Sequence, residues 1–300
     1  MLEGEESEPV SHKWSQMRIR TGWLRYLGAR RGNRILQQFV RMAKLHGTPF
    51  ETLLKNILDA TDQYEARFTF PIVASVALNN QELIRMIVRS PHEIAAHGFK
   101  HVSYRYLSRA EQETDIEKCT WAFRKMGIAI RGFRAPYNNY TDYTPRLLER
   151  HHFVWDGGIG YHPRYCEQTR PFRIRVDDHQ SAFVCIPLSE WSDDRMIDQD
   201  RLSNRQMVNV LCNRIKRTAQ EHGVVMFDLH PIRIGQYKYL DVLEQVLALG
   251  SKLNGWFPTV TEAVNYWHMC QEWKHGASFC CLLTGDIDNF SFTDYLLRLA

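Results

Sequence analysis

No apolar run in the sequence approaches the roughly 20 residues needed to span a bilayer. The longest, "FPIVASVAL", suits a buried strand. The seven cysteines, at 119, 166, 185, 212, 270, 280 and 281, form no Cys-x-x-Cys pair, and their odd number fits a complete disulfide framework poorly. Reduced, mostly buried thiols in a cytoplasmic protein are the expectation. Charge of one sign is also scarce, the formal balance being only +4 over 300 residues, which gives no reason to expect a nucleic-acid partner. One basic cluster, "RIRTGWLRYLGARRGNR", could meet phosphates or an acidic surface, although a solvated Arg-rich helix face is the plainer reading. The start, "MLEGEESEPVSH", has acids and no apolar centre, so it reads as neither a signal nor a transit peptide. A short disordered arm over 1–15 is expected. Internal repeats, low-complexity tracts and long Gly/Ser linkers are missing too, so 16–300 is expected to be a single domain.

What the chain does have is alternation. Strand-like runs, "RFTFPIVASV", "HEIAAHG", "IRGFRAPY", "FVWDGGIG", "AFVCIPLS" and "GVVMFDLHP", are separated by amphipathic segments such as "NNQELIRMIVRS", "SRAEQETDIEKCTWAFRKMG" and "SNRQMVNVLCNRIKRTAQEHG". This predicts an α/β fold of βα units around a mostly parallel sheet or barrel. Polar residues gather where the strands end, which is where such folds assemble their chemistry.

Each cluster has two readings. His97 and His101 are four apart and could meet one divalent ion if the segment is helical or tightly turned, or they could be an accidental pair among 13 histidines. Arg134, in "FRAPY", could anchor a carboxylate or be an ordinary loop arginine. His230, held before a proline in "DLHP", could be a general acid or base, or a satisfied core histidine. The last apolar run, "SFCCLLTGDID", ends in the carboxylates Asp286 and Asp288.

In this order the segments resemble the polysaccharide deacetylase (NodB homology) family. "RFTFPIVASVALNNQELIRMIVRSPHEIAAHGFKHVSYRYLS" is similar to its strand, helix and histidine motif, "RGFRAPYN" to its arginine motif and "VVMFDLHP" to its terminal Leu-His-Pro motif, over roughly residues 66–265. The departure is at the front. The family begins with a strand ending in paired aspartates, whereas here the region before "RFTFPI" reads "RILQQFVRMAKLHGTPFETLL", helical in pattern and without aspartate. "SFCCLLTGDID" is similar to that missing motif, so the expectation is a circularly permuted, distorted (β/α) barrel of the NodB type with its first strand supplied by 279–288. The alternatives are a coincidental Asp-x-Asp in a tail and a strand that completes a neighbouring chain's sheet.

The resemblance implies a metal-dependent hydrolase of amide bonds that deacetylates an N-acetylated sugar or glycan precursor. Asp288, His97 and His101 would bind a divalent metal, Zn²⁺ first, with Asp286 as general base and Arg134 orienting it. The backbone N–H of Tyr137 would help to hold the oxyanion, and His230 would protonate the leaving amine. Trp191 is a candidate sugar-stacking surface or a core residue. Asp156, in "VWDGG", would line the substrate site and tune His230, or hold a structural turn. The competing readings are an inactive carbohydrate-binding or scaffold protein and a hydrolase of cyclic or other amides. The partners expected are a sugar or small amide substrate and, as an option, further copies of the chain.

Overall fold

The computed structural model describes residues 40–270 and 272–299. The expected arm over 1–15 and the basic cluster lie outside the described residues. The chain divides into Met1–Lys44 and Leu45–Ala300. Of the first unit the described residues, 40–44, are helical; the second holds every strand described below.

Ten strands are described: β1 (Phe68–Ile72), β2 (Glu93–Ala96), β3 (Gly132–Phe133), β4 (Trp155–Asp156), β5 (Arg175–Val176), β6 (His179–Gln180), β7 (Val184–Cys185), β8 (Val224–Asp228), β9 (Gly255–Trp256) and β10 (Phe279–Thr284). β5 and β6 form a separate antiparallel pair. The main sheet is parallel throughout, in the order β7-β4-β3-β2-β1-β10-β8, with β9 beside the start of β10. Its two ends meet. Leu188, just past β7, bridges Met226 of β8, and Ser189 N donates to Met226 O at 2.9 Å. The result is a distorted (β/α) barrel.

The three long strands explain their own burial. All residues of β1, β8 and β10 are buried, as expected of parallel strands covered on both faces, whose sequences are continuous apolar runs. β10 lies between β1 and β8, with Leu283 opposite both Phe68 and Phe227. Its side chains alternate. Cys280 and Leu282 join Trp155, Val184, Val224 and Met226 from around the ring, so they face the barrel interior. Cys281 and Leu283 join Phe68, Phe227 and the covering helices. The helix Val260–Cys270 adds Val260, Ala263 and Val264 to the interior cluster and closes the amino end of the strands. There Val260 N donates to Thr69 Oγ1 at 2.9 Å, and Thr261 N donates to Glu93 at 3.1 Å.

Two segments differ from the sequence reading. "FPIVASVAL" is a strand only to Ile72 and continues as the helix Ala74–Asn79, because past Val73 the backbone donors leave the ladder. Ala74 N turns to Gly98 O and Ser75 N to Phe99 O. The strand runs "IRGFRAPY", "FVWDGGIG" and "AFVCIPLS" shrink to two-residue pairings. All seven cysteines are unpaired. Among the described residues no helix is long and apolar enough to cross a membrane.

Candidate active site

The carboxyl ends of β3, β2, β10 and β8, with β1 between β2 and β10, lie along one rim of the ring, and each of the four delivers charged groups to one place. β2 runs into His97, where Gly98 turns the chain with a φ of +73°, a value that suits glycine. A Cβ there would lie 2.8 Å from Asp115 Oδ2. Asp115 comes from the helix Arg109–Lys125, which Ser108 and Glu111 start with a reciprocal cap, and its carboxylate accepts from Phe99 N, Lys100 N and the Tyr104 hydroxyl at 2.9, 3.0 and 2.9 Å. The two histidines are therefore brought together by a pinned turn rather than by a helix.

The ligand atoms of His97, His101 and Asp288 all lie within 4.8 Å of one another. Asp288 Oδ1 is 3.1 Å from His101 Nε2 and 3.5 Å from His97 Nε2. Ligands held at about 2.1 Å around one tetrahedral ion would stand roughly 3.4 Å apart, so the trio fits a divalent metal such as Zn²⁺. His97 supports this in two ways. Its Nδ1 is engaged by Arg134 O at 2.9 Å, which assigns the proton to Nδ1 and leaves the lone pair on Nε2. That Nε2 is buried without a hydrogen-bond partner and faces the Asp286 and Asp288 carboxylates. Burial opposes charging of His97, but those two carboxylates outweigh it and raise its pKa. The pull on a proton at Nε2 is equally a pull on a metal cation.

Asp286 stands beside the trio, with Oδ2 3.4 Å from His97 Nε2. Its other oxygen accepts from Arg134 Nη1 at 2.8 Å. Arg134 is fully buried; it also donates through Nε to Gly157 O at 3.0 Å and through Nη2 to Thr284 Oγ1 at 2.8 Å, and it lies 3.1 Å from Asp228 Oδ1. Asp228, His230 and Asp286 make a second group of possible ligand atoms within 4.8 Å. The Arg134 guanidinium already neutralises its two carboxylates, so it does not read as a second metal site.

His230 donates from Nδ1 to Asp193 Oδ1 at 2.6 Å. Asp193 is fully buried, on the segment between β7 and the helix Asn204–Gln220. Burial works against a charged His230, yet Asp228 and Asp193 raise its pKa well above the ordinary value. The carboxylate partner of His230 is thus Asp193, and of the two readings of Asp156, tuning His230 or holding a structural turn, its contacts match the second. Asp156 is fully buried and occupied elsewhere: Oδ1 accepts from Gly158 N and Ile159 N at 3.0 and 2.7 Å, and Oδ2 accepts the Tyr140 hydroxyl at 2.6 Å. Tyr140 in turn accepts Ala135 N at 3.0 Å, so Asp156 braces the turn that carries Arg134 and Tyr137. With both oxygens engaged inside the protein, it has no place at the substrate. Tyr137 adopts a φ of +60°, a conformation that costs a side-chain-bearing residue about 1 kcal/mol or more and persists where neighbours enforce it. Its exposed ring lies 4.3 Å from that of His101. Trp191 is half-buried against the core, with the Arg195 guanidinium 4.4 Å from its ring centre. Sequence reading passed over Asp115, Asp193 and Asp228; the doublet in "WSDD" after an apolar strand was the visible signal for Asp193.

The carboxyl rim of this parallel (β/α) barrel thus carries a His-His-Asp trio, a second Asp and an opposed His–Asp pair. Residues 46–154 match the family model described as polysaccharide deacetylase. It is 29% identical to a peptidoglycan deacetylase of Helicobacter pylori over 112 residues, 37% of this chain and 36% of the relative. It is 26% identical to a chitooligosaccharide deacetylase of Sinorhizobium fredii over 96 residues, 31% of this chain and 45% of that one. The matched stretch thus spans less than half the length of these relatives. Among solved structures, a candidate polysaccharide deacetylase from Mycobacterium smegmatis superimposes with a TM-score of 0.64 at 19% identity, covering 74% of this chain and 79% of that one. A Puue allantoinase does so with a TM-score of 0.64 at 18% identity, covering 81% and 78%. These likenesses establish the fold.

Proposed function

We propose that the unit Leu45–Ala300 is a metal-dependent amide hydrolase that deacetylates an N-acetylated sugar or glycan precursor. The observation that carries this reading is the convergence of His97, His101 and Asp288, with Asp286 3.4 Å from His97 and held on its other oxygen by Arg134. A non-catalytic scaffold would have no need of two aspartates that reach two histidines from the far end of the sequence.

A divalent ion in the trio, Zn²⁺ first, would supply a polarised carbonyl and a water whose pKa is lowered toward about 7. Asp286 then acts as base. Arg134 holds one of its oxygens, so the other is left to take a proton from the attacking water. As water adds to the carbonyl carbon, charge builds on the carbonyl oxygen. The Tyr137 N–H is proposed to donate to it, a contribution typically worth about 10²- to 10³-fold in rate. His230, oriented through Nδ1 by Asp193, gives its Nε2 proton to the nitrogen as the C–N bond breaks, and acetate and a free amine result. Trp191 and Tyr137 are proposed to form the wall that a sugar ring meets.

The order of the motifs is also a proposal. β10 occupies the place between β1 and β8 that the aspartate strand needs, yet it follows the other motifs in sequence, as circular permutation of the family pattern would give. The unpaired cysteines fit a reducing compartment such as the cytoplasm. An amine-release screen over N-acetyl sugars, glycan oligomers and cyclic amides, run with metal-loaded protein and with chelated protein, tests the reading. Metal-dependent release from an N-acetyl sugar supports it, and no release from any amide by fully loaded protein overturns it.

A further inference from the structure

His230 faces charged groups from every element around it. Asp193 holds Nδ1 at 2.6 Å, and Asp194 adds a carboxylate within 4.8 Å from the same segment. Asp286 approaches from β10. Arg233, on the short helix Pro231–Ile234 that follows His230, opposes them and is itself tied to Asp198 at 2.9 Å. That leaves Asp228, at the end of β8, two residues before His230 and so on the same side of the extended chain.

Asp228 has an unusual position. It is 5% exposed, with Oδ1 3.1 Å from Arg134 Nη1 and Oδ2 3.9 Å from His230 Nε2. A distance of 3.9 Å is too long for a hydrogen bond but short for a charge pair. The carboxylate can therefore stabilise a positive imidazole ring without consuming the Nε2 proton. Asp193 adds to this stabilisation from the opposite nitrogen, Nδ1.

We propose that Asp228 is the positioning residue that keeps His230 charged, with its Nε2 proton available for the leaving amine. The proposal rests on the amide-hydrolase reading for its purpose, though not for its measurement. Asp228 acts through His230 and need not touch substrate. Arg134 makes the arrangement tenable: burial and the neighbouring Asp286 raise the Asp228 pKa to about 6, while His230 and Arg134 restrain the rise, so the carboxylate is ionised at neutral pH. In sequence terms, the aspartate that interrupts the apolar run "VVMFDL" is there for its charge.

The test is Asp228→Asn, which keeps an oxygen for Arg134 and removes only the charge. The proton-binding midpoint of His230, followed by imidazole NMR with His230→Gln to assign the signal, should fall by about one unit or more, the usual effect of losing an opposite charge at this range. Zn²⁺ stoichiometry should stay as in the wild type. In turnover, the alkaline limb of the kcat/KM profile should move to lower pH by the same amount, and Asp228→Glu should restore part of it. If the NMR midpoint stays put, or if the rate falls equally at every pH with the limb in place, Asp228 merely holds Arg134 and the proposal is wrong. Should the Asn variant not fold, Asp228→Thr gives the same neutral comparison. The NMR reading does not depend on any substrate, so a failed amidase screen leaves this result standing on its own.

Discussion

Arg134 Nη1 donates to Asp286 Oδ1 at 2.8 Å although 152 positions separate the two residues. The guanidinium is fully buried and touches the ends of three further segments, at Gly157, Asp228 and Thr284. It is the cation around which the acidic rim is assembled.

Arg134→Met should therefore act on stability as well as on any activity. Removing it leaves Asp286 and Asp228 buried without compensation, a change that typically costs about 3–5 kcal/mol. Urea unfolding of the metal-free protein checks this. Arg134→Lys should recover little, since a single ammonium cannot serve Gly157 O, Thr284 and two carboxylates from one position.

His97→Ala and His101→Ala should each largely abolish binding of a divalent ion, because each removes a nitrogen ligand that its surroundings orient. Metal analysis after dialysis reads this directly: close to one ion per chain in the wild type and little in either variant.

β10 should behave as core. Leu282, fully buried on the interior face, should cost about 2–5 kcal/mol when replaced by alanine. Gly285→Ala should be damaging for a different reason: a Cβ there would fall 2.2 Å from Leu229 O, so the ends of β10 and β8 must separate and Asp286 must shift. Unfolding midpoints and metal affinity distinguish the two. The leucine variant should lose stability with a normal site, and the glycine variant should lose both.

His92 gives the fold a pH dependence of known sign. Its Nδ1 accepts Phe68 N at 2.8 Å, and burial, followed by nearby Arg67, lowers its pKa to about 4. The folded pKa lies below the unfolded value of about 6.5, so the unfolded chain binds the extra proton in the window between them. Stability from this group is complete above about pH 6.5 and drains away as pH falls toward 4. At pH 5 the loss should be roughly 2 kcal/mol relative to pH 7. In His92→Gln, whose amide oxygen can still accept from Phe68 N, the fall in urea midpoint between pH 7 and pH 5 should be smaller.

The sequence made some of this legible. Continuous apolar runs located the long strands β1, β8 and β10, and the polar residues at the strand ends put His97, Arg134, His230, Asp286 and Asp288 at the rim. The carboxylates that support those groups were hidden. Asp193 meets His230 across 37 positions, and Asp115 meets Phe99 across 16, so neither spacing matches a local period. Asp156 kept two readings for the same reason: its partner, Tyr140, is 16 residues back in another loop, and nothing in "VWDGG" shows that both its oxygens are engaged. The turn from strand to helix after Ile72 escaped notice because it is enforced by Gly98 O and Phe99 O, carbonyls of another strand's loop. Backbone partners leave no trace in side-chain patterning.

The central claim is that the two aspartates of "GDID" divide the work, Asp288 holding the ion and Asp286 moving the proton. Metal stoichiometry and kcat measured on the same preparations of Asp286→Asn and Asp288→Asn test it most directly. Asp288→Asn should lose metal affinity, because a neutral amide is the poorer ligand, and its rate should fall with occupancy. Asp286→Asn should keep the ion and lose turnover by about 10²-fold or more, the usual scale for removing a positioned base. Normal turnover by metal-loaded Asp286→Asn would contradict the account.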